Sequence, residues 1–230
     1  MSLPIIFGFN KTSEAGNDKL NFSIFLKGCN LRCPYCMNSK LVVKSDVERI
    51  DFSIIKQAII EEKPEMVMIS GGEPILHSYH EISELISTIQ NLGCKVGMST
   101  NGLIPERLKE VVLSLSFVAL DIKTSRPLVY DGISGCFRSL ARVLESKEII
   151  EKFCLDYEIR TTLYPPFINE NDIHIIGNLV SYNTKWVLQQ FRVTKNMLND
   201  EHIGPYSEEH IREFLEIAKN YTEKASLRYV

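Results

Sequence analysis

Cys29, Cys33 and Cys36 crowd three thiols into the nine residues GCNLRCPYC. Thiolates are soft ligands that select zinc, copper(I) or iron–sulfur clusters. A structural zinc site needs four ligands, commonly two Cys-x2-4-Cys pairs, and the chain offers no second pair and no Cys–His partner. On a cube of four irons, three thiolates would leave one iron without a protein ligand, free to bind something else as an open position does in a catalytic metal site. The cysteines alone leave three readings standing: an iron–sulfur site, zinc completed by a distant Cys or His, and thiols that share no ligand. Cys94, Cys136 and Cys154 stand singly in periodic segments and read as small core hydrophobes.

Other candidate residues fall where short apolar runs end. SGGEP (70–74) closes one such run. Gly71 and Gly72 permit close backbone approach to a ligand, and Glu73 is placed to accept from a cation, although a plain glycine turn is the simpler reading. STNG (99–102) closes the next run and includes Ser99 and Asn101. In LDIK (120–123), alternation puts Asp121 and Lys123 on one face. Two charges there are costly unless they pair with each other or meet a ligand. In VLQQFR (187–192), Gln189 shares a face with Phe191, and Gln190 with Arg192; which pair points inward stays open. His77 and His80, just beyond the Glu73 loop, read as solvent-facing at a helix start, and His174, His202 and His210 show no mutual spacing that suggests metal.

These residues need a scaffold that brings run ends together. Strand-like segments at 21–28, 65–70, 94–99, 116–123, 157–164 and 185–192 alternate with helical patterns at 51–62, about 82–92, after Pro105, 137–152, 172–182 and 207–221. Six strand–helix units favour a parallel α/β sheet with crossover helices, either an open doubly wound sheet or an incomplete barrel. Both place reactive groups at the carboxyl ends of strands.

With 230 residues, 44% of them hydrophobic, the chain can bury a core and reads as one domain over 1–230, with a cysteine loop at 28–37 and a C-terminal helix at about 207–221. No Gly/Ser linker, low-complexity tract or repeat divides it. A net charge of −3 makes no general call for nucleic acid or a membrane surface. No run approaches the roughly 18 apolar residues of a membrane span, and MSLPIIFGFN lacks the features of a signal peptide. A cytoplasmic protein is expected.

Cys-x3-Cys-x2-Cys, with Tyr35 just before the last cysteine and a strand just before the loop, resembles the signature of the radical S-adenosylmethionine (SAM) enzymes. The resemblance implies a partial (β/α)6 barrel, consistent with the six units. It implies that Cys29, Cys33 and Cys36 hold a four-iron four-sulfur cluster whose open iron binds the amino and carboxylate groups of SAM. Gly71, Gly72, Glu73 and Pro74 match the Gly-Gly-Glu-Pro element that binds the amino group. Asp121 and Lys123 match the Asp-x-Lys of glycyl-radical activating enzymes, with Lys123 balancing the SAM carboxylate. Tyr35, Ser99, Asn101, Arg160 and Gln189 are candidates for the same pocket. Ser99 stands where related activating enzymes often carry Asp, and SEAGNDKLN (13–21) replaces their usual Asp-x-Pro-Gly turn.

VLQQFR and the later GPYSEEH resemble activases of anaerobic ribonucleoside-triphosphate reductase. Only 34 residues separate Cys36 from Gly71, and about 38 follow the last strand, so no auxiliary cluster module fits. The resemblance therefore implies reductive cleavage of SAM, then abstraction of a glycine Cα hydrogen from a partner glycyl radical enzyme. A low-potential one-electron donor such as flavodoxin or ferredoxin would supply the electron. Two alternatives are a radical SAM enzyme acting on a small molecule or peptide, of the 7-carboxy-7-deazaguanine synthase kind, and a non-catalytic metal-binding module.

Overall fold

A computed structural model describes residues 3–13, 20–42, 49–154, 156–199 and 203–229. Eight strands form one sheet in strictly sequential order: β1 (Ile6–Ser13), β2 (Leu20–Leu26), β3 (Met66–Gly71), β4 (Lys95–Thr100), β5 (Phe117–Asp121), β6 (Tyr157–Leu163), β7 (Lys185–Gln190) and β8 (Ala225–Arg228). β1 runs antiparallel to β2, and every later neighbour pair is parallel. A doubly wound sheet needs a point where strand order reverses. None exists here, so same-handed crossovers stack the helices on one face and curl the sheet into a partial barrel.

β2 to β7 are the six strands expected. β1 and β8 extend the sheet at its two edges beyond that expectation. β1 reads IFGFNKTS, with a glycine and an irregular register at its start, and β8 has only four residues, so neither carries a periodic signal. The SEAGNDKLN departure lies largely outside the described residues, at 14–19.

The helices are α1 (Ser39–Val42), α2 (Phe52–Glu62), α3 (Tyr79–Asn91), α4 (Pro105–Val111), α5 (Pro127–Ser134), α6 (Ser139–Phe153), α7 (Glu170–Leu179) and α8 (Glu208–Lys219). α3 starts at a capping box in which Ser78 and Glu81 satisfy each other's backbone amides. It buries Ile82, Leu85, Ile86 and Ile89, the stripe that its spacing predicts. α5 was not expected, because its eight residues include a glycine; Pro127 opens it, and Gly135, with φ +66, closes it. Among the described residues, no helix is long and apolar enough to cross a membrane.

One face of each strand packs outward on the helices, where Val67, Ile69, Val96, Leu120 and Ile159 are buried. The other face lines the barrel interior, where Gly97 leaves room for the sulfurs of Met66 and Met68. At the carboxyl rim, the segments after β5 and β6 are tied by Asp172 at the start of α7. Its carboxylate accepts from Ser125 Oγ, from the Arg126 guanidinium and from the Asn169 amide at 2.9 Å, while Arg126 also reaches the Pro166 carbonyl at 3.2 Å. Burial alone would raise the Asp172 pKa, but these donors outweigh it and hold the carboxyl below its ordinary value.

Asp172→Asn is expected to lower the unfolding free energy by about 2 to 3 kcal/mol at pH 7. An aspartate with a depressed folded pKa contributes stability above its unfolded value of about 3.9 and loses that contribution as pH falls through the folded value. Urea titrations should therefore separate wild type from variant at pH 7 and bring them together as the pH is lowered through that range.

Candidate active site

The cysteine loop leaves β2 at Gly28, whose φ of +98 suits glycine. Backbone bonds hold the loop at several points: Gly28 N–H to Leu41 O at 2.9 Å, Arg32 N–H to Ile133 O at 2.7 Å, and Cys36 N–H to Cys33 O at 3.0 Å. The Arg32 guanidinium folds back onto the carbonyls of Cys29 and Leu31, each at 2.9 Å. All three thiols are free and face one cavity of about 320 Å³.

The donor set suits a cluster better than a single ion. Among the described residues, no group of three or more His, Cys, Asp or Glu side chains converges on a point where one metal ion could sit. His202 lies outside the described residues. Burial raises the Cys29 thiol to about 12, Cys33 to about 11, and Cys36 above its usual value. Without a cluster the three thiols stay protonated at physiological pH; a cluster would draw the protons off.

The Gly-Gly-Glu-Pro segment does more structural work than its motif suggests. A methyl group added at Gly71 would strike the Leu26 backbone, and one added at Gly72 would strike the Gly28 carbonyl. Both glycines line the cavity, but the close approach they permit is to the stem of the cysteine loop. Gly72 N–H binds Leu26 O at 2.9 Å, and Glu73 N–H binds Gly28 O at 2.7 Å.

The Glu73 side chain is almost wholly enclosed, at 1% exposure. It accepts from Thr100 Oγ1 at 2.7 Å, the Asn101 amide at 2.6 Å and the Ile75 amide at 3.2 Å. Burial outweighs those bonds and pushes its pKa up to about 7. Pro74 opens a short 3-10 helix, buried and outside the cavity lining.

Ser99 and Asn101 both line the cavity. Asn101 Nδ2 also donates to Asn30 Oδ1 at 2.7 Å, which joins the end of β4 directly to the cysteine loop.

Across the cavity, Lys123 Nζ lies 3.1 Å from Asp121 Oδ2, with both side chains largely buried. The bend between them is pinned by Tyr130 of α5: the Lys123 amide donates to its hydroxyl at 3.1 Å, and the hydroxyl donates to the Asp121 carbonyl at 3.3 Å. Burial would lower the Lys123 pKa, but Asp121 overrides it and holds the amine well above its usual value, hence charged.

Arg160, Thr162 and Gln189 continue the wall along β6 and β7. The question left open at β7 resolves without a choice between faces, because Gln189, Gln190, Phe191 and Arg192 all border the cavity where the strand ends. Tyr35 is buried among Tyr164, Phe167 and Phe191, with ring centroids 4.8, 5.7 and 6.4 Å away. Its hydroxyl is enclosed without a hydrogen-bond partner among the described residues, an orphaned donor that suits a polar ligand.

Every expected site residue except Pro74 thus borders one cavity. The sequence did not point to Asn30, Thr100, Tyr130 or Thr162. The Pro127 and Gly135 stop signals could have led to α5 and so to Tyr130.

The family model described as the Radical SAM superfamily matches residues 23–179, about two thirds of the chain. The chain belongs to the radical SAM superfamily. Its cofactors are accordingly a four-iron four-sulfur cluster and SAM. Among curated relatives, a Methanocaldococcus jannaschii protein, provisionally named a glycyl-radical enzyme activating enzyme, is 29% identical over 228 residues, covering 92% of this chain and 90% of its own. The 7-carboxy-7-deazaguanine synthase of Hyperthermus butylicus is 33% identical over 86 residues, 36% of each chain. Among solved structures, a domain of pyruvate-formate lyase-activating enzyme from Bacteroides vulgatus superposes with a TM-score of 0.58 at 18% identity, covering 70% of this chain and 98% of that one. This last likeness speaks to the fold: a mostly parallel partial barrel of the radical SAM kind.

Gly72→Ala should displace the stem of the cysteine loop, since the added methyl group meets backbone on a neighbouring segment. The expected result is a soluble protein that retains much less than four irons per chain after anaerobic reconstitution, measured by iron and sulfide assay; full retention would contradict this account of the glycine.

Proposed function

We propose that the protein activates a glycyl radical enzyme by removing a hydrogen atom from a glycine Cα of its partner, and that the partner is an anaerobic ribonucleoside-triphosphate reductase. The observation that carries this reading is the similarity, over 92% of this chain and 90% of its own, to a relative provisionally named an activating enzyme, set against deazaguanine synthase similarities that span 36 to 56% of this chain. The resemblance of VLQQFR and GPYSEEH to ribonucleotide reductase activases supports the choice of partner.

When bound, the cluster and SAM together supply a 5'-deoxyadenosyl radical and methionine by one-electron cleavage of a sulfonium carbon–sulfur bond, the electron coming from a low-potential donor of the flavodoxin or ferredoxin class. The protein's share is binding, orientation and exclusion of water. Cys29, Cys33 and Cys36 would hold the cluster. Gly71, Gly72 and Glu73 form the rim for the SAM amino group, with Pro74 setting the turn behind it. Lys123, kept charged by Asp121, and Arg160 offer cations to the carboxylate. Tyr35, Ser99, Asn101 and Gln189 supply polar and aromatic surface to the rest. Hydrogen-atom transfer needs no general base, so selectivity comes from proximity, and the Tyr35–Tyr164–Phe167–Phe191 cluster keeps that corner dry.

Two measurements test the reading. Reduced, cluster-loaded protein mixed with SAM and the reductase should produce a glycine-centred doublet by electron paramagnetic resonance; turnover confined to a small molecule of the deazaguanine kind would transfer the assignment to that reaction. Lys123→Ala should keep its cluster yet bind SAM at least about tenfold more weakly, because it strips a cation from the ligand and leaves Asp121 unpaired in a buried place. Unchanged affinity would remove Lys123 from the site.

A further inference from the structure

Behind the cavity wall, β6 and β8 carry a charge cluster of which only Arg160 has a role in the chemistry above. Glu158 lies two residues before Arg160 on the inward face of β6 and is 5% exposed. Arg228 of β8 meets both of its carboxylate oxygens, Nη1 to Oε1 at 2.9 Å and Nη2 to Oε2 at 3.2 Å. Arg160 donates to the same carboxylate through Nε, onto Oε1. Its two terminal amino groups make no hydrogen bond or ion pair among the described residues. Arg160 lines the cavity, whereas Glu158 and Arg228 do not.

A carboxylate and a guanidinium pair best as a fork of two parallel N–H···O bonds. Left alone on one strand face, Glu158 and Arg160 would close that fork, using a terminal nitrogen of Arg160 and drawing the guanidinium down against the sheet. Arg228 already holds both oxygens, so Arg160 is restricted to its Nε. A guanidinium pinned at one nitrogen then presents two amino groups to the cavity. Two guanidiniums on one carboxylate also leave a net positive charge at this wall. A ligand carboxylate matches both the shape and the charge.

We propose that Glu158 and Arg228 are positioning residues: Arg228 occupies the Glu158 carboxylate so that Arg160 stays turned toward the cavity and takes the carboxylate of bound SAM. The proposal rests on the reading that Arg160 contacts SAM. The edge strand β8 then shapes ligand binding without touching the ligand.

The test compares SAM with decarboxylated SAM, which lacks the carboxylate, by equilibrium binding to cluster-loaded, unreduced protein. Arg228→Gln is expected to weaken SAM about tenfold and leave the decarboxylated ligand unchanged, because Glu158 is released to capture Arg160. Adding Glu158→Gln to that variant should restore most of the affinity, a recovery that a merely structural role for Arg228 would not produce. Arg228→Lys should behave like Arg228→Gln, since an ammonium cannot span both oxygens, and it carries the test if the glutamine variant fails to fold. Wild-type affinity in both Arg228 variants, or a further loss in the double variant, overturns the proposal. Arg160→Ala separates the two levels: loss of discrimination there with none in the Arg228 variants sinks the positioning device alone, whereas unchanged discrimination in Arg160→Ala sinks the contact on which it rests.

Discussion

The site depends on the contact between the stem of the cysteine loop and the end of β3. Three thiols on a single loop have no preferred arrangement of their own; the backbone must impose one. Here Gly72 donates to Leu26, Glu73 donates to Gly28, and the glycine pair lets the two segments approach with no side chain between them. The Glu73 carboxylate then reaches across to Thr100 and Asn101, and Asn101 reaches back to Asn30 in the loop. The circuit β2, β3, β4 and loop closes on itself through buried hydrogen bonds, which strengthen where water is excluded. The thiols therefore inherit their placement from the ends of two buried strands.

The opposite wall solves a different problem. Asp121, Lys123, Glu158 and Arg160 are four largely buried ionisable side chains, each costly there alone, and the half-buried Arg228 joins them from the edge strand. They are grouped so that no charge is bare: Asp121 meets Lys123, and Glu158 meets two guanidiniums. The protonation states follow from that grouping. Lys123 stays charged because Asp121 outweighs burial, and Glu158 stays ionised although burial opposes it, because Arg160 and Arg228 offset the cost. Glu73 has hydrogen bonds but no cation beside it, and its pKa rises to about 7. Cations on one wall and a carboxyl lacking one on the other form a polarity across the cavity that suits a zwitterionic amino-acid moiety.

Much of this was legible in the sequence, and what was not has physical causes. β2 to β7 announce themselves because strands buried on one face under helices must be short apolar runs, and the cysteine, Gly-Gly-Glu-Pro and Asp-x-Lys elements sit at their ends. β1 and β8 are edge strands that bury less, so their composition is less constrained; Arg228 was invisible because nothing local marks four residues near the C-terminus as a strand. Tyr130 was missed for a related reason, since a short helix with a glycine in it has little periodicity. The meaning of Gly71 and Gly72 was half legible: absence of a side chain reads as close approach, but a sequence does not say to what.

A division of labour follows from the topology. The loop after β2 and the ends of β3 and β4 are interlocked by backbone and buried carboxylate bonds, so a change in one disturbs the others, and that half of the cavity is constrained by the cluster chemistry the superfamily shares. The half built from β6, β7 and β8 borders the cavity with side chains, Arg160, Thr162, Gln189 and Gln190, supported from behind by further side chains. Such residues can be exchanged without unfastening the cysteine loop. Where relatives that share the signature differ in what they attack, the side chains of this half other than Arg160 and Gln189, proposed to face SAM, are therefore the ones free to change.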